Sequence, residues 1–186
     1  MKPNAQPRDP GQPALNARWL DLQMFDSQPV KPALSGLGAP WWDPQARGAF
    51  LGLTAAVTRA HLVRAVVEAM AFRTRDVVEA MEAASGLRIA ELRVDGGASV
   101  MDGLCQFQAD LLGIPVARAA TADATAVGAG LLAAVGEGLV EGPEAVAASW
   151  QPGKRFEASR PGIRPTENYR AWLDALARVR TGSGSA

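Results

Sequence analysis

The octet LRVDGGAS at residues 92–99 is the most informative feature of the chain. It predicts a short strand that runs into Gly96 and Gly97 and then into a helix. Two adjacent glycines let the backbone turn sharply and bring its N–H groups close to a ligand. The start of a helix adds free N–H groups and the positive end of a dipole, which suit a nucleotide phosphate. An ordinary tight turn without a ligand is the alternative, because glycine pairs also mark such turns.

Composition indicates a globular chain without a charge-based partner. The chain has 186 residues, of which 48% are hydrophobic, so it can hold one domain with a sizeable core. Its 19 basic and 19 acidic residues cancel, and we expect no binding to nucleic acid or to an anionic membrane. No apolar run reaches the length of a membrane helix. Cys105 is the only cysteine, so no internal disulfide can form, which predicts a cytoplasmic protein.

Three segments differ in composition. Residues 1–30 are rich in Pro, Gln, Asn and Asp, and we expect them to form a poorly ordered arm. Residues 31–180 are predicted to form the folded domain. Residues 181–186 are rich in Gly and Ser and are predicted to be a flexible tail.

Within the domain, strands alternate with helices. The patterns predict strands at 49–53, 91–94 and 114–117, and helices at 58–85, 99–112, 124–135, 145–150 and 167–179. This alternation is typical of an α/β layered domain.

The long helix predicted at 58–85 has two patterns along its length. One face is predicted to be apolar and buried, and it carries Leu62, Val66, Met70, Val77 and Met81. The pairs Arg64–Glu68 and Arg75–Glu79 are spaced four apart, which suits ion pairs on the exposed side of the helix.

Several motifs carry a family resemblance. GAFLGL at 48–53, followed after seven residues by HLVRAVVE at 61–68, resembles the second signature of the FGGY carbohydrate kinases. SGLGAPWWD at 35–43 is similar to the segment that distinguishes the glycerol kinase branch. VDGGA at 94–98, QFQAD at 106–110, TAVGA at 125–129 and RFE at 155–157 extend the likeness. Over roughly residues 32–180 the chain is therefore identified as a member of this family.

The resemblance implies a two-lobed enzyme whose lobes have the ribonuclease H-like fold of actin and the sugar kinases. In that family ATP, with Mg²⁺, binds between the lobes and phosphorylates the 3-hydroxyl of glycerol. The matched region is only the later part of the C-terminal lobe, so we expect an incomplete α/β lobe of three strands with packed helices. The segment 49–53 would be the third strand of the family's sheet and 91–94 the fourth.

The N-terminal lobe, the glycerol-binding residues, the catalytic aspartate and two strands of the C-terminal sheet fall outside the matched region. We therefore expect no catalytic residue in this chain and no activity in isolation. A complementary kinase chain that supplies the other lobe would restore the phosphotransferase. The alternative is a degenerate remnant that acts as a binding or interaction module.

The resemblance also implies a nucleotide side of the site, ATP or ADP, at Gly96, Gly97 and Met101. Gly97 matches the family glycine whose backbone contacts the phosphates, and Gly96 is expected to serve the turn. Met101 stands where glycerol kinases usually carry an asparagine that contacts the adenine end of the nucleotide. Asp95 could act on bound Mg²⁺ through water or simply fix the end of the strand; we expect no direct metal ligand.

Other polar residues are expected to have structural roles. Ser99 is predicted to cap the helix that follows the glycines. His61 is the only histidine and has no nucleophile or ligand cluster near it in sequence. Cys105 is predicted to be a small buried side chain. Asp43 and Arg47 are predicted to fix a loop or to lie at the surface.

Overall fold

The computed structural model describes residues 30–31, 36–121, 123–148 and 150–181. The elements run in the order β1 (Val30–Lys31), β2 (Ala49–Phe50), α1 (Arg59–Ser85), β3 (Leu92–Val94), α2 (Asp102–Leu112), β4 (Val116–Ala119), α3 (Ala124–Gly136), α4 (Pro143–Ala148), β5 (Pro152–Phe156) and α5 (Glu167–Val179). A 3-10 turn at Gly97–Val100 lies between β3 and α2. The predicted alternation of strands and helices is confirmed, whereas most of the predicted arm and of the tail lies outside the described residues.

The main sheet has three strands in the order β3-β4-β5. Strand β3 runs parallel to β4, with Leu92 opposite Val116, and α2 connects them as parallel strands require. Strand β5 pairs antiparallel with β4, with Phe156 opposite Val116.

The membership of this sheet differs from the prediction at one strand. The segment predicted as a strand at 49–53 pairs only at Ala49–Phe50, and its partner is β1 in a separate two-stranded sheet. Gly52 has a positive φ of 77°, which ends the extended backbone early. The third strand of the main sheet is instead β5, where the sequence pattern predicted no strand.

The core lies between α1, α2 and α5. Phe72 of α1 stacks on Trp172 of α5 with 5.5 Å between ring centroids, and it meets Phe107 of α2 edge-on at 5.7 Å. The other side of α2 packs Cys105 against Val116 and Phe156 of the sheet. Helix α2 therefore separates the sheet from the other two helices, and the predicted burial of Cys105 is confirmed.

Helix α1 has the predicted bounds but turns a different face to the core. Its C-cap Gly86 adopts the left-handed conformation, and its N-cap Thr58 donates its backbone N–H to Nδ1 of His61 at 3.1 Å, which is a structural role for that histidine. The prediction of an apolar buried face is wrong at Val66 and Met81, which are exposed. Apart from Phe72 and Val78, the buried residues of α1 are alanines or charged side chains, because α1 faces α2 and α5 through small residues and ion pairs.

Those ion pairs form, but they are not on the exposed side as predicted. Arg64 donates to Glu68 at 2.5 Å, and Glu68 is buried. Arg75 is buried as well, since its guanidinium donates both to Glu79 at 2.7 Å and to the carbonyl of Pro165 at 2.5 Å. Helix α1 thus uses charged side chains to bind the segment that leads into α5.

The loop before β2 is fixed by two buried carboxylates. Asp43 accepts from the backbone N–H of Ala46 at 3.0 Å and of Thr181 at 2.6 Å, which joins the loop to the end of α5. Asp76 of α1 accepts from the indole of Trp41 at 3.0 Å, while the neighbouring Trp42 is 75% exposed. The loop-fixing role predicted for Asp43 is confirmed.

Candidate nucleotide-binding turn

The turn after β3 depends on the backbone of Gly96. Its φ of 80° and ψ of 178° lie in a region that is essentially restricted to glycine. Ser99 reaches back and donates its hydroxyl to the Gly96 carbonyl at 2.7 Å and its backbone N–H at 3.1 Å. Gly96 therefore sets the direction of the chain, and Ser99 stabilises it.

Gly97 contributes open space rather than an unusual conformation. A Cβ placed on it would meet no atom within 4 Å, and its φ is not in the left-handed region. Gly97 is the first residue of the 3-10 turn, and the first N–H groups of such a turn have no earlier carbonyl of that turn to bond to. The geometry suits an anion that approaches the backbone closely.

The helix predicted at 99–112 is divided in two at Met101. Met101 has an extended backbone with φ −80° and ψ 100°, so α2 begins only at Asp102. The Met101 carbonyl accepts from the N–H groups of Leu104 at 3.0 Å and Cys105 at 3.2 Å. The prediction that Ser99 caps this helix is wrong, because its hydroxyl bonds back to Gly96 and Met101 occupies the N-cap.

Two apolar side chains are exposed beside the turn. Met101 is 37% and Val100 is 60% exposed. Neither can donate or accept a hydrogen bond as an amide does. The three predicted site residues, Gly96, Gly97 and Met101, lie in one short segment between β3 and α2.

Three charged side chains beside the turn were missed by sequence reasoning. Asp102 accepts from Lys154 of β5 at 2.6 Å and from Arg118 of β4 at 2.8 Å. Arg118 also donates to the carbonyl of Ser99 at 3.0 Å. Hydrogen bonds from Lys154 first, and then from Arg118, hold the pKa of Asp102 below its ordinary value. Only the register of β4 with β5 reveals this arrangement, and β5 was not predicted.

Metal ligands are sparse in this region. In the part of the chain that the structure describes, no three His, Cys, Asp or Glu side chains cluster to hold a metal ion. Asp95 lies between β3 and Gly96 and is exposed. None of the helices described is long and apolar enough to cross a membrane.

Comparison with a family model decides the relationship. Residues 13–137, well over half of the chain, match the C-terminal domain of the FGGY family of carbohydrate kinases. The chain belongs to the FGGY family of carbohydrate kinases. The match to this FGGY domain begins at residue 13, before the described residues, and includes the glycine turn.

In sequence, the chain is similar to glycerol kinases of this family. The chain is 51% identical over 141 residues to glycerol kinase from Citrifermentans bemidjiense, which covers 76% of this chain and 28% of that protein. It is 48% identical over 147 residues to glycerol kinase 2 from Thermotoga maritima, covering 79% of this chain and 30% of that protein. The FGGY chain therefore spans less than a third of the length of these relatives, and it aligns with their C-terminal portion.

Comparison with solved structures identifies the fold. Plasmodium falciparum glycerol kinase with ADP superposes with a TM-score of 0.68 at 26% identity, covering 83% of this chain and 31% of that one. Xylulose kinase from Rhodospirillum rubrum gives a TM-score of 0.64 at 28% identity, covering 82% of this chain and 30% of that one. The predicted fold class, a partial lobe of the actin and ribonuclease H-like kind, is confirmed.

Proposed function

We propose that this chain is the nucleotide-side, C-terminal portion of a glycerol kinase-like ATP:glycerol 3-phosphotransferase, which converts glycerol and ATP to glycerol 3-phosphate. The observation that carries the proposal is the glycine turn. It combines open space at Gly97 with the start of a 3-10 turn, in a chain whose relatives are glycerol kinases. In this proposal Gly97 lies against the nucleotide phosphates, and Gly96 gives the turn its shape.

The residues around the turn fit a nucleotide phosphate. A bound anion needs backbone N–H groups that point at it and room to approach them. The space at Gly97 supplies the room, since even a methyl group there would touch nothing within 4 Å. Mg²⁺ would neutralise phosphate charge during transfer. Of the chain's own carboxylates, Asp95 stands directly before the turn and would reach the ion through water.

Met101 is proposed to lie beside the base of the nucleotide. Its thioether supplies apolar contact but none of the hydrogen bonds of an amide. We therefore propose that the chain binds ADP weakly.

We further propose that the chain alone does not phosphorylate glycerol. Phosphoryl transfer requires an oriented nucleophile, an in-line phosphate and charge neutralisation that converge in one water-poor site. The turn supplies contacts to one side of the nucleotide. A complementary kinase chain would supply the glycerol site and the base, and the complex would work in the cytoplasm.

A second candidate is a non-catalytic remnant that acts as a binding or interaction module. The exposed Met101 favours it, because a hydrogen bond to the base is not available from that side chain.

Two measurements test these proposals. Isothermal titration with ADP and Mg²⁺ should show binding to the full chain that is at least about tenfold weaker in Gly97→Ala. A coupled assay with glycerol, ATP and Mg²⁺ should show no glycerol 3-phosphate from the chain alone. Turnover should appear once a glycerol kinase fragment is added that carries the N-terminal lobe, the catalytic aspartate and the two strands absent here. Absence of ADP binding at millimolar concentration would contradict the nucleotide site. Binding without turnover in the presence of that fragment would favour the remnant.

A further inference from the structure

Strands β4 and β5 place two cations directly opposite each other. Arg118 and Lys154 are paired in the antiparallel register of these strands, so their side chains leave the same face of the sheet. Like charges directly opposite one another destabilise a sheet. An anion between them would remove this cost, and the chain provides one.

The carboxylate of Asp102 binds both cations, one with each oxygen. Oδ1 accepts from Arg118 at 2.8 Å, and Oδ2 accepts from Lys154 at 2.6 Å. Asp102 is the first residue of α2, directly after the turn that begins at Gly97. This ion-pair bridge, made by Asp102, Arg118 and Lys154, therefore ties the start of α2 to the two strands of the sheet.

Arg118 also reaches the turn itself. The nitrogen that binds Asp102, Nη1, donates to the carbonyl of Ser99 at 3.0 Å. Ser99 is buried, and its hydroxyl holds the carbonyl of Gly96. A continuous path of hydrogen bonds thus runs from Lys154 and Asp102 through Arg118 and Ser99 to the glycine pair.

We propose that the ion-pair bridge positions the glycine turn, holding it against the sheet in the conformation that leaves Gly97 open. Its members do not touch the phosphates; they are positioning residues. The effect of the bridge on ADP affinity rests on the proposed function, whereas its effect on the conformation of the turn does not. All three side chains are partly exposed, so added salt weakens the bridge.

Residue-by-residue amide exchange of the full chain without nucleotide tests the hold on the turn. The reporters are the amides of Ser99 and Met101, which bond within the turn to Gly96 and Ala98 at 3.1 and 3.2 Å. Asp102→Asn should speed their exchange by about 3–10-fold, the range for loss of a charge-assisted bond at a partly exposed site. The matched control is Asp110→Asn.

Asp110 lies on the same helix and also accepts hydrogen bonds, but from Ser159 and Gln106, away from the turn. Its variant should leave both reporter amides unchanged. Equal exchange in native chain and Asp102→Asn would overturn the proposal, and so would an equal effect of the two variants.

A second variant separates the bridge from a general loss of stability. Lys154→Gln should loosen the turn less than Asp102→Asn, because Arg118 still binds the carboxylate. The double variant should exchange no faster than Asp102→Asn alone, since the two residues act through one bridge. Additive effects of the two substitutions would contradict a shared bridge.

Titration with ADP and Mg²⁺ then tests the consequence for the nucleotide. Where the native chain binds ADP, Asp102→Asn should weaken that binding by roughly the same factor as it loosens the turn. A looser turn with unchanged ADP affinity would overturn the link to the nucleotide. If the native chain binds no ADP, the proposed function fails, and amide exchange alone decides whether the bridge holds the turn.

Discussion

At the scale of single residues, the two adjacent glycines have separable roles. Gly97→Ala should fold as well as the native chain, because its Cβ meets nothing and its backbone is unstrained. ADP affinity should nevertheless fall by at least about tenfold, since the methyl group occupies the space where a phosphate approaches the backbone. Isothermal titration and urea unfolding together give both quantities.

Gly96→Ala is the matched comparison. It should destabilise the chain by about 1–3 kcal/mol, because its backbone conformation is restricted to glycine. A stable Gly96→Ala chain, or Gly97→Ala with native ADP affinity, would contradict this division of roles.

Met101 offers a test by gain of affinity. Met101→Asn supplies an amide beside the proposed base position, and one added hydrogen bond of about 0.5–1.5 kcal/mol should tighten ADP binding roughly 2–12-fold. Val100→Asn is the control, because it introduces the same amide one residue earlier at a more exposed position. Equal gains from both variants would show that Met101 has no special place relative to the nucleotide.

At the scale of elements, Asp76 joins α1, α5 and the loop before β2. Its carboxylate is fully buried and accepts from Tyr169 at 2.9 Å, from the Trp172 indole at 3.1 Å and from the Trp41 indole at 3.0 Å. Asp76→Ala should lower the free energy of unfolding by about 3–5 kcal/mol, because it removes the carboxylate on which the Tyr169, Trp172 and Trp41 donors converge.

Urea unfolding followed by tryptophan fluorescence measures this loss. The exposed Asp174 of α5 provides the control, and Asp174→Ala should change the stability by no more than about 0.5 kcal/mol. Similar losses from both aspartates would show that the buried network contributes little.

Elements with local signals were predictable, and those with long-range causes were not. Helix α5 has the predicted bounds, because an amphipathic pattern defines it locally. Strand β5 has only Phe156 buried, so it lacks the alternation that marks a strand. The glycine turn was predicted from the local motif at 92–99, but the ion-pair bridge depends on the pairing of β4 with β5. Helix α1 was misjudged in its buried face because charged residues there are buried in ion pairs.

At the scale of the whole molecule, Glu82 connects the end of α1 to the segment before α5. Arg164 donates two hydrogen bonds of 2.9 Å to the carboxylate of Glu82 and a third to the carbonyl of Leu112. The hydrogen bonds that Arg164 and the backbone N–H of Ile89 donate to this carboxylate lower the pKa of Glu82 from 4.5 to about 2. The ionised form is thus favoured in the folded chain.

The lowered pKa of Glu82 determines how the stability of the chain changes with pH. The contribution of Glu82 is complete above its ordinary pKa of 4.5 and is lost as the pH falls toward about 2. The Tm of native chain should exceed that of Glu82→Gln most above pH 4.5, and the difference should shrink toward pH 2. Glu141→Gln, at an exposed loop position, should show no such narrowing. If the difference in Tm between the native chain and Glu82→Gln did not change with pH, ionisation of Glu82 would not be coupled to folding.

The apolar surface of the chain determines its behaviour in solution. Val66 and Met81 of α1 and Leu132 of α3 are exposed, and β3 is an edge strand of the main sheet. Exposed apolar stripes and open sheet edges favour association. We therefore expect the purified chain to self-associate at micromolar concentration, as measured by size exclusion with light scattering. Val66→Gln with Met81→Gln should shift it toward monomer without lowering Tm, whereas Arg178→Gln, an exposed polar exchange on α5, should not. A native chain that is monomeric and unfolds cooperatively would show that these exposed surfaces do not drive self-association.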